Sequence, residues 1–484
     1  MEDNHNPLIC NIIDFQSYTE FQGSIFSLWS RGYYPLFLFS SDAQNLYCGM
    51  AKDGEKPNVL YTRVPESRAY PSLSADIPAF HILERELWEE TGIIPLGHPW
   101  LKPLRYPKTS GNKMAAHPFL ASDSPSLHEV GVGPVHAGVI EPGHFRFICR
   151  GETIEHLEIQ LGYQHRGVAK LLEQGDLRRK ISLAESIAGD TAIGNGLAYC
   201  LAVEALCDVR VPAAIAAIRN IALELERIAM HLADLSALSG DVAYLSGLNF
   251  FAALRTTIIN SSLAICGSRF GKRWLAPGGV NYGISKEQNK TLRRTLSEAR
   301  LQIDKAAKAL FSSAGVQNRF DSTGSITMQN AIDLNLSGVT AKAAGLVRDA
   351  RSGFPLPAQA DYEVLICETG DVHARAWLRY QETMQSLTMI EELLTRLPDL
   401  SNPDREQLPL PVPDRLAISI VEGWRGRIVH VVKTDSQANT EFYRVYDPSV
   451  HNWFALALAV RGESISDFPL CNKSFDLSYC GNDL

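Results

Sequence analysis

The stretch VPAAIAAIRNIALELERIAMHLADLSALSG, Val211 to Gly240, sets the tightest limit on how this chain folds. Its apolar residues recur at three- and four-residue spacing, which predicts a helix. They also spill over more than one face. Such a helix has no broad polar side to turn to water and belongs at the buried centre of a bundle. Pro212 fits its first turn, where a missing N–H costs nothing. Glu224, Arg227 and His231 fall at i, i+3 and i+7 on one face. Carried into a core, they form either a structural ion pair with a hydrogen-bonded histidine or a proton relay.

The rest of the chain reads as support for that centre. GNGLAYCLAVEALCDV and the regions around Ser285–Ala314 and Ala374–Leu397 predict further helices. Ahead of them, Asn11 to about Arg105 reads as a small α+β unit. In it PLFLFS, NLYCGMA and NVLYTRV are short strands, and IPAFHILERELWEETG is a helix with Pro78 near its start and Gly92 as its stop. Thr109–Pro134, rich in Ser, Gly and Pro, reads as a linker. Phe145, Phe147 and Cys149 alternate as one half-buried strand, with the following RGE as a hairpin turn. RLAISIVEGWRGRIVHVVKTD and TEFYRVYDPSVHNWFALALAV read as strands followed by a short helix. RSGFPLPAQADY reads as a loop, and LPDLSNPDREQLPLPVPD as a surface connection. The final DFPLCNKSFDLSYCGNDL keeps Phe475, Leu477 and Leu484, and reads as tucked in rather than frayed. A chain of 484 residues, 45% hydrophobic, is expected to form more than one domain. The boundaries are 1–120 and 121–484, and the fold class is α+β.

Several function classes drop out. Lys+Arg number 46 against Asp+Glu 54, a net charge of −8, so nucleic acid is not an expected partner. No apolar run is long enough to span a bilayer. MEDNHNPLIC lacks a leader pattern, so a cytoplasmic location is expected. The nine cysteines, Cys10, Cys48, Cys149, Cys200, Cys207, Cys266, Cys367, Cys471 and Cys480, include no C-x-x-C pair. That spacing excludes a zinc ribbon and a cluster held by adjacent cysteines, and predicts buried reduced thiols. There is no phosphate-binding glycine loop, dinucleotide fingerprint or nucleophile elbow.

Two loops carry titratable groups. GPVHAGVIEPGHFR holds His136 and His144, and is either a cavity-lining loop with groups near neutral pH or a surface loop. YQHRGVAKLL holds Arg166 before a glycine bend, where it pairs structurally or donates to a ligand.

Taken in order, GPVH…EPGHFR, RGETIEHLEIQLGYQHRGVAKLLE, LAYCLAVEAL…ELERIAMHL, PGGV and VEGWRGRIVHVV resemble the large subunit of energy-converting nickel–iron hydrogenases. They equally resemble the 49-kDa subunit of respiratory NADH–quinone oxidoreductase. The resemblance covers about Gly133 to Leu484. The first unit is similar to the 30-kDa subunit, through Glu84, Arg85, Glu86, Gly92, Gly97, His98, Pro99 and Leu101, with Lys102 in an arginine place. The resemblance implies a 30-kDa-like domain followed by a mainly helical large-subunit domain with peripheral strands.

It also implies a lost metal site. Hydrogenases of this family hold nickel and iron through two C-x-x-C pairs, because the metals need soft bridging thiolates. The first pair falls at Ala188 and Thr191, with Asn195 in place of a histidine. The second falls at Ser478 and Gly481, after Asp476, with Cys480 one position off. Ala169 replaces the proton-gating glutamate. In hydrogenases the chain is trimmed after the final motif; this one ends there, as expected of a subunit that never loads nickel. The implied protein resembles cysteine-less, hydrogenase-related large subunits and carries no metal itself. Its implied partners are an iron–sulfur small subunit, whose cluster lies nearby, and ion-translocating membrane subunits at the cytoplasmic face of the inner membrane.

Two readings stay open. In one, electrons pass from the neighbouring cluster to a quinone or another acceptor, with His136 matching a quinone-binding histidine and His144 a displaced second one. Tyr163, Arg166, Asp190 and Asp476 would then line the cavity. In the other, the subunit is a scaffold that transmits motion without redox chemistry. An apolar, filled pocket around Ala188, Thr191, Ser478 and Gly481 would favour the scaffold, and an open tunnel the electron carrier.

Overall fold

Ser17 opens the first helix, α1 (Tyr18–Ser30), with a capping box: its hydroxyl accepts from Glu20 N while the Glu20 carboxylate accepts from Ser17 N. Sequence patterning missed this helix. The computed structural model describes residues 16–137 and 140–484. MEDNHNPLIC with Cys10, the start of the first unit at Asn11, and Gly138 and Val139 lie outside the described residues.

The three expected strands form one antiparallel sheet, β1 (Tyr34–Ser40), β2 (Asn45–Ala51) and β3 (Asn58–Arg63). A short parallel pair, β4 (Ala69–Pro71) and β5 (Ile94–Leu96), flanks helix α2 (His81–Thr91). A single turn of 3-10 helix at Pro78–Phe80 leads into α2, and Gly92 ends it in the left-handed conformation at φ 74°, which favours glycine. Thr109–Pro134 is not only a linker. It contains β6 (His128–Val132), which pairs with β7 (His144–Arg150), and β7 pairs in turn with β8 (Thr153–Gln160). The expected single strand is therefore the middle of three. HEVGV offers only Val130 and Val132 as an apolar alternation, both half-buried, because β6 is an edge strand.

The helical part starts with α3 (Val168–Glu173) and α4 (Ile181–Ala184), then α5 (Ala192–Leu206), α6 (Ala213–Asp241) and α7 (Leu245–Cys266). Pro212 stands at the N-cap of α6 rather than inside its first turn. Helix α7 was not foreseen: its outer face carries Asn, Ser, Thr, Ala, Leu and Phe instead of charge, so the pattern shows no contrast between sides. A two-residue hairpin, β9 (Leu275–Ala276) and β10 (Gly279–Val280), precedes α8 (Lys286–Phe311). Then come α9 (Ala314–Phe320), α10 (Met328–Asp333), α11 (Gly338–Ala343) and α12 (Ala350–Gly353). The last of these is a helical turn inside the expected RSGFPLPAQADY loop, and its Arg351 is buried. Helix α13 (Val372–Arg396) leads to the final sheet, β11 (Leu416–Gly423), β12 (Gly426–Thr434) and β13 (Thr440–Tyr446). It is followed by α14 (Pro448–Ala459), α15 (Phe468–Phe475) and α16 (Tyr479–Asp483).

Helix α6 lies between α7 and α13, buried along almost its whole length, as its patterning demanded. Helix α5, buried at every position, separates α6 from sheet β11–β13. The opposite face of that sheet packs on β1–β3: Phe39 meets Phe442 at 4.8 Å between ring centroids, and the N-terminal strands share one apolar core with the C-terminal sheet. The tail is tucked in, with Leu484 3% exposed. All eight described cysteines are free thiols, and only Cys367 is not buried.

Candidate functional site

AESIAGDTAIGN is a tight turn ahead of α5. Thr191 N donates to Ala188 O at 3.0 Å, and both residues are buried. Thr191 is the N-cap residue of α5, but its side chain turns elsewhere. What it faces comes from the β11–β12 turn. Trp424 Nε1 donates to Asp190 O at 3.0 Å and to Thr191 Oγ1 at 3.1 Å. Arg425 Nη1 and Nη2 donate to Asp190 Oδ1 and Oδ2 at 2.7 and 2.8 Å, a bidentate pair, and Nη1 also reaches Thr191 Oγ1 at 3.3 Å. The same guanidinium donates through Nε to Asp476 O and stacks on Trp424. Arg425 thus joins the turn before α5 to the start of the C-terminal segment.

The C-terminal side is built from caps. Asp476 ends α15 in the left-handed conformation. Ser478 is the N-cap of α16, and its Oγ accepts from Gly481 N at 2.9 Å. Asp447 caps α14 by accepting from Ser449 N at 2.8 Å. Its Oδ2 leaves no room at Gly481, where a Cβ would come within 2.6 Å of it. The hairpin turn that carries Arg425 is equally confined: at Gly426, φ 138°, a Cβ would lie 2.6 Å from Ser337 Oγ and 2.8 Å from Gly338 N. Cys480 Sγ is 3.5 Å from Ser478 Oγ, and Cys480 N donates to Glu141 Oε2 at 3.2 Å.

The electrostatics follow from burial. Burial opposes the Arg425 charge, but Asp190, Asp476 and Asp447 more than restore it and hold its pKa above the usual value. Burial raises the Asp447 carboxyl, with Arg425 pulling the other way. Asp234 of α6 is buried, is pushed well above the carboxylate range by burial and by Asp476, and donates to Asp476. Asp476, half-buried, is held below the range by that hydrogen bond, by Lys473 and by Arg425. Asp234 also accepts from Arg379 Nε at 2.5 Å. Behind the turn, Glu226 accepts from Ile193 N at 2.7 Å and Gly194 N at 3.0 Å, and burial pushes its carboxyl up to about 8. Burial also raises the Cys480 thiol to about 11, so it is no thiolate at neutral pH.

A nickel–iron centre does not fit these residues. The four positions that the resemblance assigns to its ligands hold a methyl group, two hydroxyls and a hydrogen atom. The single nearby thiol is protonated, and Arg425 brings a fixed positive charge to the same ground. Among the described residues no group of three or more His, Cys, Asp or Glu side chains is placed to hold a metal ion. The ground between these positions carries the Arg425–Asp190 pair rather than the apolar filling that would favour a scaffold.

The other expected site residues lie around it. His136 Nε2 meets Gly143 O at 2.8 Å and His144 Nδ1 meets Gly133 O at 3.1 Å, so each ring ties its loop together. That loop abuts the C-terminal helix through Glu141 and through Gly143, whose added Cβ would lie 2.7 Å from the Tyr479 ring. Tyr163 donates to Gln160 Oε1 at 3.1 Å. Arg166 is exposed and donates to Ser186 O and Ile187 O at 2.8 and 2.9 Å. Its backbone N–H and that of Gly167 hold Leu484 O. Ala169 borders a separate small cavity with Glu86, Glu90, Arg105 and Arg444.

Sequence reasoning missed Arg425, Asp447 and Glu226. The signal for Arg425 was present: a Trp-Arg-Gly turn between two apolar strands puts a long cation at the end of a sheet. The Glu224, Arg227 and His231 set extends further than its helical spacing indicates. Glu224 pairs with Arg227 at 3.0 Å and His231 with Glu382 at 2.9 Å. Glu382 pairs with Lys342 at 2.5 Å, and Lys342 with Asp349 at 2.7 Å, all buried. Burial lowers His231 to about 4, so it is neutral.

Residues 241–415 match the family described as the 49 Kd subunit of respiratory-chain NADH dehydrogenase. The chain is 27% identical over 354 residues to the carbon monoxide-induced hydrogenase of Rhodospirillum rubrum, a match covering 72% of this chain and 98% of the relative. It is 28% identical to hydrogenase-4 component G of Escherichia coli, over 93% of this chain and 84% of the relative. It is 25% identical to the C/D polypeptide of the NADH-quinone oxidoreductase of Nitrosospira multiformis, over 84% and 77%. Both the hydrogenase and the oxidoreductase sides of the resemblance are therefore present among its relatives. No helix among the described residues is long and apolar enough to cross a membrane.

Proposed function

We propose that this chain is a metal-free large subunit of a membrane-associated complex related to hydrogenases and NADH–quinone oxidoreductases. It neither oxidises nor makes hydrogen, and it couples an iron–sulfur neighbour to ion-translocating membrane subunits through its ion-paired centre. One observation carries the reading: the Arg425–Asp190 pair and the Asp447 carboxylate take the ground that a dinuclear metal would need. A buried pair whose members come from separate loops can change partners when a neighbouring charge or proton changes, which is what a transmitting centre requires. The test is purification from detergent-extracted membranes with metal analysis. Copurification with iron–sulfur and membrane subunits, without nickel, is expected. Stoichiometric nickel, or recovery as a lone soluble monomer, overturns it.

A second reading has one observation in its favour. The His136–His144 loop reaches the C-terminal helix through Glu141, beside Cys480. In that reading a quinone or another acceptor takes electrons near this loop, and the histidines exchange protons near neutral pH. His136→Ala, in an assembled complex, then loses acceptor reduction; an unchanged rate removes this reading and leaves the first.

A further inference from the structure

The junction between α2, β8 and α14 forms a partly open cavity of about 60 Å³ that neither Arg425 nor Asp190 lines. It is bordered by His81 and Arg85 of α2, Trp100, His156 and Glu158 of β8, and Phe454 of α14. Arg85 is 7% exposed. Its Nε donates to Lys102 O at 2.8 Å and its Nη2 to Pro103 O at 3.2 Å, both backbone carbonyls, and Nη1 has no partner among the described residues. The two nearest carboxylates are engaged elsewhere. Glu158 accepts from Lys102 Nζ at 2.6 Å and Leu120 N at 2.9 Å, and meets His117 Nε2 at 3.1 Å. Glu89 accepts from the backbone N–H groups of Leu104, Arg105 and Tyr106. Glu89 and Glu158 favour the Arg85 charge without a hydrogen bond to it, but burial outweighs them and lowers Arg85 to about 10.

A second donor borders the same cavity. Arg461 Nη2 lies 3.4 Å from His156 Nδ1. A guanidinium only donates, so Nδ1 accepts, and the neutral ring carries its hydrogen on Nε2. That Nε2–H is buried and unpartnered, as is His81 Nε2. His117 and Asn482 also line it, and the rest of the wall is apolar, with Leu157, Trp100 and Phe454. A water needs roughly 10–15 Å³ of such space, so the cavity suits a molecule of about four or five non-hydrogen atoms.

We propose that this cavity binds a short aliphatic monocarboxylate, of acetate or propionate size, with its carboxylate on Arg85 Nη1 and its alkyl end against the aromatic wall. Bound there, the anion gives Arg85 a hydrogen-bonded carboxylate, where the chain offers it only backbone carbonyls. It also bridges the N-terminal helix α2 to β8 and α14, so that occupancy tightens the junction.

Thermal unfolding and isothermal titration of the full chain with acetate, propionate, octanoate and chloride at constant ionic strength test this. Acetate or propionate is expected to raise the unfolding temperature saturably and to release or absorb heat, with octanoate and chloride inert. Arg85→Gln should weaken binding at least tenfold. Because Arg85 also ties the backbone at Lys102 and Pro103, Ala457→Phe, which fills the cavity and keeps Arg85, serves as the second variant and should abolish the response. An equal response to chloride, a response retained in either folded variant, or no saturable effect of any short carboxylate overturns the proposal.

Discussion

Two buried polar centres share the core of this molecule and are built in opposite ways. Along the α6–α13 seam, most charges sit on helices: Glu224, Arg227, His231 and Asp234 on α6, Arg379 and Glu382 on α13, Lys342 on α11 and Arg351 on α12, with Asp349 at the cap of α12 and Glu422 on β11 as the exceptions. In the Arg425 pocket, every charge sits at a turn or a cap: Asp190 before α5, Arg425 in a hairpin, Asp447 and Asp476 at helix ends. Rigid elements hold the first set in fixed register, and connecting segments hold the second. The contrast separates a structural network from a site whose chemistry can be rewritten while the scaffold stays, since substitutions at loop positions leave packed helices undisturbed.

The strongest way to break this contrast is to attack the seam. Lys342→Met leaves Asp349 and Glu382 facing each other without their shared cation. Removing one member of a buried network typically costs about 3–5 kcal/mol. Denaturant unfolding should show such a loss, and a loss under about 1 kcal/mol would mean the seam is no tighter than the pocket.

In the pocket, Arg425→Met should cost less, about 2 kcal/mol, because the Asp190 side chain is 39% exposed and water takes over its hydration. The added change Asp190→Asn should recover part of the loss, as expected where the penalty is an uncompensated carboxylate. If the double variant is as unstable as the sum of the singles, Arg425 acts through packing on Trp424 instead. Gly481→Ala sharpens the same point. Its Cβ meets Asp447 Oδ2 at 2.6 Å, so about 1–2 kcal/mol of overpacking is expected, and a cysteine restored there would meet the same carboxylate.

How much of this was legible in sequence follows from the same contrast. The seam could be located because helical periodicity carries Glu224, Arg227 and His231 to one face; only their partners on α11, α12 and α13 were out of reach, since non-local pairing leaves no periodic trace. The pocket was located by resemblance, through Ala188, Thr191, Ser478 and Gly481. Its content was not, because Arg425 comes from a hairpin more than two hundred residues after Asp190. Helix α7 and strand β6 escaped for local reasons, the one lacking charge on its outer face and the other carrying only two half-buried apolar residues on an edge.

Glu226 offers the most specific test, because it belongs to α6 yet serves the pocket by capping the first turn of α5. Its carboxyl sits at about 8 in the fold, against an ordinary value of about 4.3. The groups acting on it are the Ile193 and Gly194 N–H donors and Arg227, which favour its charge, and Asp190, which opposes it. With the folded value raised, its contribution to stability is fully present below the ordinary carboxylate range and is lost as pH rises through about 8. Between those limits the folded state binds the extra proton, so stability falls with rising pH, by at most about 1.4 kcal/mol per pH unit. Glu185 and Glu422, each at about 7, add slopes of the same sign, so the measurement is the difference between the parent and Glu226→Gln. That difference should shift by about 1 kcal/mol per pH unit between pH 5 and 8 and be flat above 9. A flat difference throughout would mean that Glu226 is ionised in the fold, with the α5 dipole and its two N–H donors outweighing burial. The pocket would then hold one negative charge more than its pairing with Arg425 balances.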